Sequence, residues 1–178
     1  SYSYIKECIN KGLVRCLENS DLDAVHIGGI VGMLGTNNVV EDCINYGEVI
    51  GQGSRNEPER WGGTGGITGS MYTRSQIYRS SNFGYIHANQ QVGGIVGYIS
   101  GSSTTLVIDC VNGVGAVVGS ENQNPHLGGI IGRSNNGQII NCSNYGSLSV
   151  VEGATHVGYI NNSNSGAIYS NNVNYYEN

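Results

Sequence analysis

The chain has 178 residues and a net charge of −5. Its Lys and Arg are scattered without a run, which excludes the basic footprint of a nucleic-acid-binding protein. No stretch approaches the ~20 apolar residues of a membrane-spanning helix, so no membrane insertion is expected. Gly, at 29 residues, is about twice its usual share of ~7% while Pro numbers only 2, which suits repeated turns better than a disordered linker.

In chain order the sequence writes one phrase six times: Cys8-Ile9-Asn10, Cys43-Ile44-Asn45, Ser80-Ser81-Asn82, Cys110-Val111-Asn112, Cys142-Ser143-Asn144 and Asn172-Val173-Asn174. An aromatic and a Gly usually follow, as in Tyr46-Gly47, Phe83-Gly84 and Tyr145-Gly146. A second phrase precedes five of the copies: Gly28-Gly29-Ile30-Val31-Gly32, Gly65 to Gly69, Gly93 to Gly97, Gly128 to Gly132 and the decayed Gly158-Tyr159-Ile160. The Asn positions recur at intervals of 35, 37, 30, 32 and 30 residues, a spacing that signals a repeat array.

The second copy serves as the pattern for one repeat. Residues 26–34, 39–44 and 48–50 are short, β-branched segments separated by turn residues, and none carries a helical stripe. Only Leu13 to Leu22 leaves room for doubt about a helix. Three short strands per repeat predict an all-β, parallel β-solenoid. It is expected to be right-handed and three-sided, with one repeat of 30–37 residues per rung and residues 1–178 as a single unit. Ser1 opens within a repeat, so the chain reads as a segment excised from a longer protein.

Stacking in register turns equal repeat positions into columns. Asn10, Asn45, Asn82, Asn112, Asn144 and Asn174 form the structural ladder, expected at a left-handed turn with amides bonding rung to rung. The Gly that follows is expected to supply positive φ. Around Asn112-Gly113-Val114-Gly115 the phrase departs by one residue, which predicts a bulge. Cys8, Cys43, Cys110 and Cys142 form an inward column of small reduced thiols, and the partner of Cys16 cannot be read. The residue before each, Glu7, Asp42, Arg79, Asp109, Asn141 and Asn171, forms a column in which Arg79 separates two acids.

The paired phrases GGI(V/I/T)G and C-x-N-(Y/F)-G resemble the GLUG repeat of bacterial surface proteins, over Ile5 to about Tyr175. That repeat also occurs in non-catalytic regions of immunoglobulin-A-cleaving zinc peptidases. The resemblance implies a β-solenoid segment of a secreted or cell-surface bacterial protein, linked with adhesion or host contact. It transfers no activity and no ligand residues. The peptidase motif H-E-x-x-H is absent, because His26, His87, His126 and His156 are followed by Ile27, Ala88, Leu127 and Val157.

Candidates for chemistry are few. Asp42 and Asp109 share a column but lie two rungs apart with Arg79 between them, which fits a charge ladder better than an acid–base pair. His26, His126 and His156 share another column, and two neighbouring imidazoles without a third ligand make a poor zinc site, so no metal is expected. The GGxxG phrases lack the following helix and the G-K-[ST] ending of a phosphate loop, and no cofactor is expected. The best binding candidate is the insertion from Gly51 to Gly63, which carries Trp61, Arg55, Arg60 and Glu57. Residues Met71 to Arg74 are a weaker one. The sequence therefore points to a non-enzymatic, structural and adhesive segment at the cell surface or outside the cell, with a host glycan or host protein as partner. A carbohydrate-active β-helix enzyme (polysaccharide lyase or glycoside hydrolase) and an accessory region of a secreted metallopeptidase are the competing readings.

Overall fold

A computed structural model of the protein describes residues 2–16, 25–51, 62–161 and 166–175. Over these residues the chain is all-β and winds as a parallel β-solenoid of about five turns, every strand pairing with its counterpart one rung away. The first turn sets the order of five sheets. Sheet I begins at Tyr4–Lys6, sheet II at Ile9–Asn10, sheet III at Val14–Arg15, sheet IV at Ile27–Gly28 and sheet V at Val31–Leu34. They hold six, six, five, five and four strands respectively.

The three segments expected in the second repeat are all present, and two of them bend midway. Residues 26–34 divide at Gly29-Ile30 into strands of sheets IV and V. Residues 39–44 divide at Asp42-Cys43 into Val39–Glu41 of sheet I and Ile44–Asn45 of sheet II. Val14–Arg15 is a strand where a helix was in question, and residues 17–24 lie outside the described residues.

Each bend has an identifiable cause. At the second, the residue preceding the Cys column is left-handed in every copy: φ is 56° at Glu7, 54° at Asp42, 43° at Arg79, 56° at Asp109, 53° at Asn141 and 54° at Asn171. This corrects the expected location of the left-handed turn. The Asn column is not at the turn; it lies within the strands of sheet II, and Asn45, Asn82, Asn112 and Asn144 are fully buried. The Gly after the aromatic is likewise not at positive φ. Gly47 and Gly84 are needed because a side chain there would strike the carbonyl of Gly12 or Gly47 one rung away.

The left-handed residue turns the preceding carbonyl inward, where the next side chain meets it. Cys43 Sγ donates to the Glu41 carbonyl at 3.2 Å, Ser80 Oγ to that of Tyr78 at 2.9 Å and Cys110 Sγ to that of Ile108 at 3.3 Å. Asn172 donates to the Ile139 carbonyl at 2.8 Å. Cys, Ser and Asn share a column in which each is a short hydrogen-bond donor, and Cys43, Cys110 and Cys142 also pack in the apolar core. Cys43, Cys110 and Cys142 are buried, but Cys8 on the first rung is exposed, which corrects its expected burial. None of the five cysteines is in a disulfide.

The first bend brings the Gly doublet across the coil to the Asn ladder. A Cβ on Gly29 would fall 2.6 Å from the Asn45 amide oxygen, and one on Gly66 or Gly94 would fall 2.6 Å from Asn82 or Asn112. Only glycine permits that approach. The apex thus touches sheet II and divides the interior into two apolar columns. One, between sheets I and V, stacks Val40, Ile77, Val107 and Ile139 against Ile67, Ile95 and Ile130. The other, between sheets III and IV, stacks Val49, Ile86 and Val118 against Ile27, Val92 and Leu127. Each fully buried Val or Ile contributes roughly 1.5–3 kcal/mol to the fold.

The Asn side chains form one directional chain along the divide. Each Nδ2 donates to the Oδ1 one rung on, from Asn10 through Asn45, Asn82, Asn112 and Asn144 to Asn174, at 2.7–2.9 Å. In most rungs the same amide also closes on the Gly two residues later, as with Asn45 and Gly47. The departure at Asn112 is larger than expected. Val118, not Val117, aligns with Ile86 and Val49, so two residues are inserted, and Gly115 at φ 85° carries the extra turn.

Candidate functional site

Comparing successive rungs locates the variable surface. From sheet I to sheet II the spacing never changes: Ile5 to Asn10, Val40 to Asn45, Ile77 to Asn82, Val107 to Asn112 and Ile139 to Asn144. From sheet IV to sheet V it is also constant, Ile27 to Val31, Thr64 to Thr68, Val92 to Val96 and Leu127 to Ile131. Between sheets III and IV it varies most: Val49 to Thr64 in one rung, Ile86 to Val92 in the next, then Val118 to Leu127 and Leu148 to Val157. Loops that vary so freely share one corner of the coil, the arrangement in which arrays carry their contact surfaces.

The insertion singled out in the sequence springs from this corner. Gly51 ends its sheet III strand buried against Thr64 and Ala88, and Gly62-Gly63 return the chain to sheet IV. Trp61, Arg55, Arg60 and Glu57 themselves lie outside the described residues. The Met71–Arg74 segment falls elsewhere: Met71 is buried, and Arg74 sits at φ 59° in the turn from sheet V to sheet I.

Neighbouring loops of the corner form a polar pocket that the sequence reading did not single out. Asn89, Glu121, Asn122, Gln123 and Asn124 line a space of about 350 Å³. Its walls are fixed by local bonds: Ser120 Oγ donates to the Asn89 carbonyl at 3.1 Å and accepts from the Asn122 amide at 3.1 Å. The Asn124 amide donates to Asn122 Oδ1 at 3.1 Å, and the Thr155 amide of the next rung donates to the Gln123 carbonyl at 2.9 Å. Side-chain amides supply donors and acceptors, and Glu121 is the one charged side chain of the lining. The signal available in the sequence was the uninterrupted polar run Glu121 to Asn124 between a strand and His126.

The histidine column stands where each loop re-enters sheet IV. His126 and His156 are neighbours, with ring centroids 5.0 Å apart and planes tilted by 52°. Burial, with help from Arg133 and His156, lowers the His126 pKa to about 4, and its Nδ1 is buried with no hydrogen-bond partner among the described residues. His26 is separate, bonded through Nδ1 to Ser70 Oγ at 2.7 Å and lowered by burial. Among the described residues no three His, Cys, Asp or Glu side chains are grouped as a metal would require.

The shared carboxylate column sits on a different corner, between sheets I and II. Asp42 accepts from Arg79 Nε at 2.9 Å and lies 3.6 Å from Lys6, while Arg79 also bridges to Glu41. Asp109 accepts from Asn141 Nδ2 at 3.1 Å. The exposed aromatic column beside the Asn ladder stacks in two pairs, Tyr46 with Phe83 at 5.3 Å and Tyr145 with Tyr175 at 4.4 Å. Gly113 interrupts it, and the Phe83 ring leans over that position. Stacking covers one face of each ring within its pair, and all four rings remain exposed.

Comparison with known proteins returned no matching family model, no matching curated protein and no matching solved structure.

Proposed function

We propose that this chain is a non-enzymatic structural and adhesive segment of a bacterial cell-surface or secreted protein, of the GLUG-repeat type, whose loop corner contacts a host glycan or host protein. The observation that carries the reading is the contrast between an invariant interior and a corner whose length varies most. The Asn ladder, the doublet and the short-donor column fix the rungs, and length variation is greatest where sheet III passes to sheet IV. Support for the site comes from the polar pocket at that corner and from the long insertion that the sequence carries between Gly51 and Gly63, where sheet III passes to sheet IV.

The non-enzymatic part of the reading is supported by the engagement of the carboxylates. Asp42 is held between Arg79 and Lys6, and Asp109 by Asn141, so neither is arranged as an acid facing a base. The test is binding of the whole chain to an immobilised mucin and to a glycan array, with Trp61→Ala and Asn122→Ala compared at matched thermal stability. Loss of binding of tenfold or more in either variant supports the corner. Binding unchanged in both, or polysaccharide cleavage abolished by Asp42→Asn or Asp109→Asn, overturns the reading.

A further inference from the structure

We infer that Asn136 is a site of spontaneous backbone-assisted deamidation in the folded protein, and that the fold protects the chain's other Asn–Gly pair, Asn112–Gly113, from the same reaction. The chain contains these two Asn–Gly pairs and no other. In such a pair the glycine nitrogen is unhindered, and it attacks the Asn side-chain carbonyl carbon. A bond forms from the Gly nitrogen to Cγ, the Cγ–Nδ2 bond breaks, and the leaving nitrogen takes the amide proton and departs as ammonia. Water then opens the resulting succinimide at either carbonyl, giving Asp or its β-linked isomer. The reaction needs only water, a carboxamide free to rotate and an accessible Cγ.

At Asn112 each requirement fails. The residue is fully buried, its Oδ1 accepts from Asn82 at 2.8 Å, and its Nδ2 donates to Asn144 at 2.8 Å. The nucleophile is also held, since the Gly113 amide donates to the Asn82 carbonyl at 2.7 Å. Rotation of the Asn112 side chain would break the ladder in both directions.

Asn136 lies in the turn from sheet V to sheet I, and its side chain is exposed. Its carboxamide makes no hydrogen bond among the described residues, and Ser134 Oγ holds only its backbone carbonyl, at 2.8 Å. Gly137, the first residue of the strand Gly137–Ile140, has φ 122°, a conformation that also excludes a replacement side chain. The reaction has a structural consequence. Asn136 Oδ1 rests against Gly166, which leads into the last sheet I strand, Ala167–Ser170. Conversion places a carboxylate there, takes the net charge from −5 to −6, and in the β-linked form lengthens the backbone just before the strand on which the last turn is stacked.

The test is incubation of the whole folded chain at mildly alkaline pH, followed by peptide mapping by mass spectrometry, in parallel with the urea-unfolded chain. In the folded protein Asn136 is expected to convert at least about tenfold faster than Asn112, because modification at Asn112 must wait for local opening of the ladder. In urea the two are expected to convert at similar rates, and Asn136→Gln to abolish the folded-state product. Equal rates at Asn136 and Asn112 in the folded protein, or an intact Asn136 while the unfolded chain converts, would overturn the inference.

Discussion

At the scale of single residues, this fold distinguishes polar groups that are satisfied from those that are merely enclosed. Thr68 occupies a column whose other strand members in sheet V are Val31, Val96 and Ile131, with Asn161 bridged to Ile131 on the last rung. Its hydroxyl oxygen is buried with no hydrogen-bond partner among the described residues, although the isosteric Val fills the same position in two adjacent rungs. Thr68→Val is therefore expected to raise stability by about 1–2 kcal/mol in urea titration. A loss of stability would mean that the hydroxyl has a partner after all.

His126 provides the pH-dependent counterpart. Its folded pKa of about 4 lies below its ordinary value of 6.5. Below about pH 6.5 the unfolded chain binds a proton at this position that the folded chain refuses until about pH 4. The contribution is absent above 6.5, and stability falls as pH is lowered through that window. His26, also lowered by burial, acts in the same direction. His126→Gln, which installs the residue found in the same column at Gln91, is expected to flatten the stability profile between pH 6.5 and 4. An unchanged slope would show that His126 protonates freely in the folded state.

At the scale of elements, the bends matter more than the strands. The repeating Asn and the doublet were legible as a period, and the β-branched segments as strands. Their mutual contact was not, because two phrases that are both constant give no hint that one presses on the other. The left-handed corner was hidden for a related reason. Its column holds Asp or Asn in four copies, types that tolerate left-handed backbone, but Glu7 and Arg79 in the others mask that signal. The column is a charge ladder as its sequence suggests, with Arg79 on Asp42 and Asn141 on Asp109, and it is also the left-handed turn that the sequence places at the more conspicuous Asn. In the Cys column Ser80 and Asn172 are exceptions by residue type but not by role, since Ser80 donates to a carbonyl of its own rung and Asn172 to one of the preceding rung.

The doublet contact predicts a sharp difference between glycines. Gly66→Ala puts a methyl 2.6 Å from the Asn82 amide and closer still to the Gly94 carbonyl, in the middle of the stack. It is expected to cost more than about 4 kcal/mol or to prevent folding. Gly153→Ala, at φ 76° with open space around it, is expected to cost only about 1–2 kcal/mol. Similar midpoints for the two variants in thermal melts would contradict the close approach at the apex.

At the scale of the whole molecule, interior and surface are divided by rung geometry. One corner absorbs the largest changes of chain length, which the ladder cannot tolerate, so sequence can vary there without disturbing register. The sequence identified that corner's largest insertion, because Gly51 to Gly63 breaks the period. It did not reveal that the other loops, including the polar run at Glu121 to Asn124, meet the same edge of the coil. Spacing between two columns locates a corner only after every strand has been assigned to its sheet.

All of this rests on the buried Asn ladder as the register-setting element of the coil. The most direct test is hydrogen exchange of individual side-chain carboxamides, followed by NMR in the folded protein. The Nδ2 protons of Asn45, Asn82, Asn112 and Asn144 are each bonded to the next rung, and those residues are fully buried. They are expected to exchange at least about a hundredfold more slowly than those of exposed Asn136, through opening of the stack rather than through local fraying. Exchange of these four carboxamides at the rate of Asn136 would contradict the ladder, and with it the register from which the loop corner is derived.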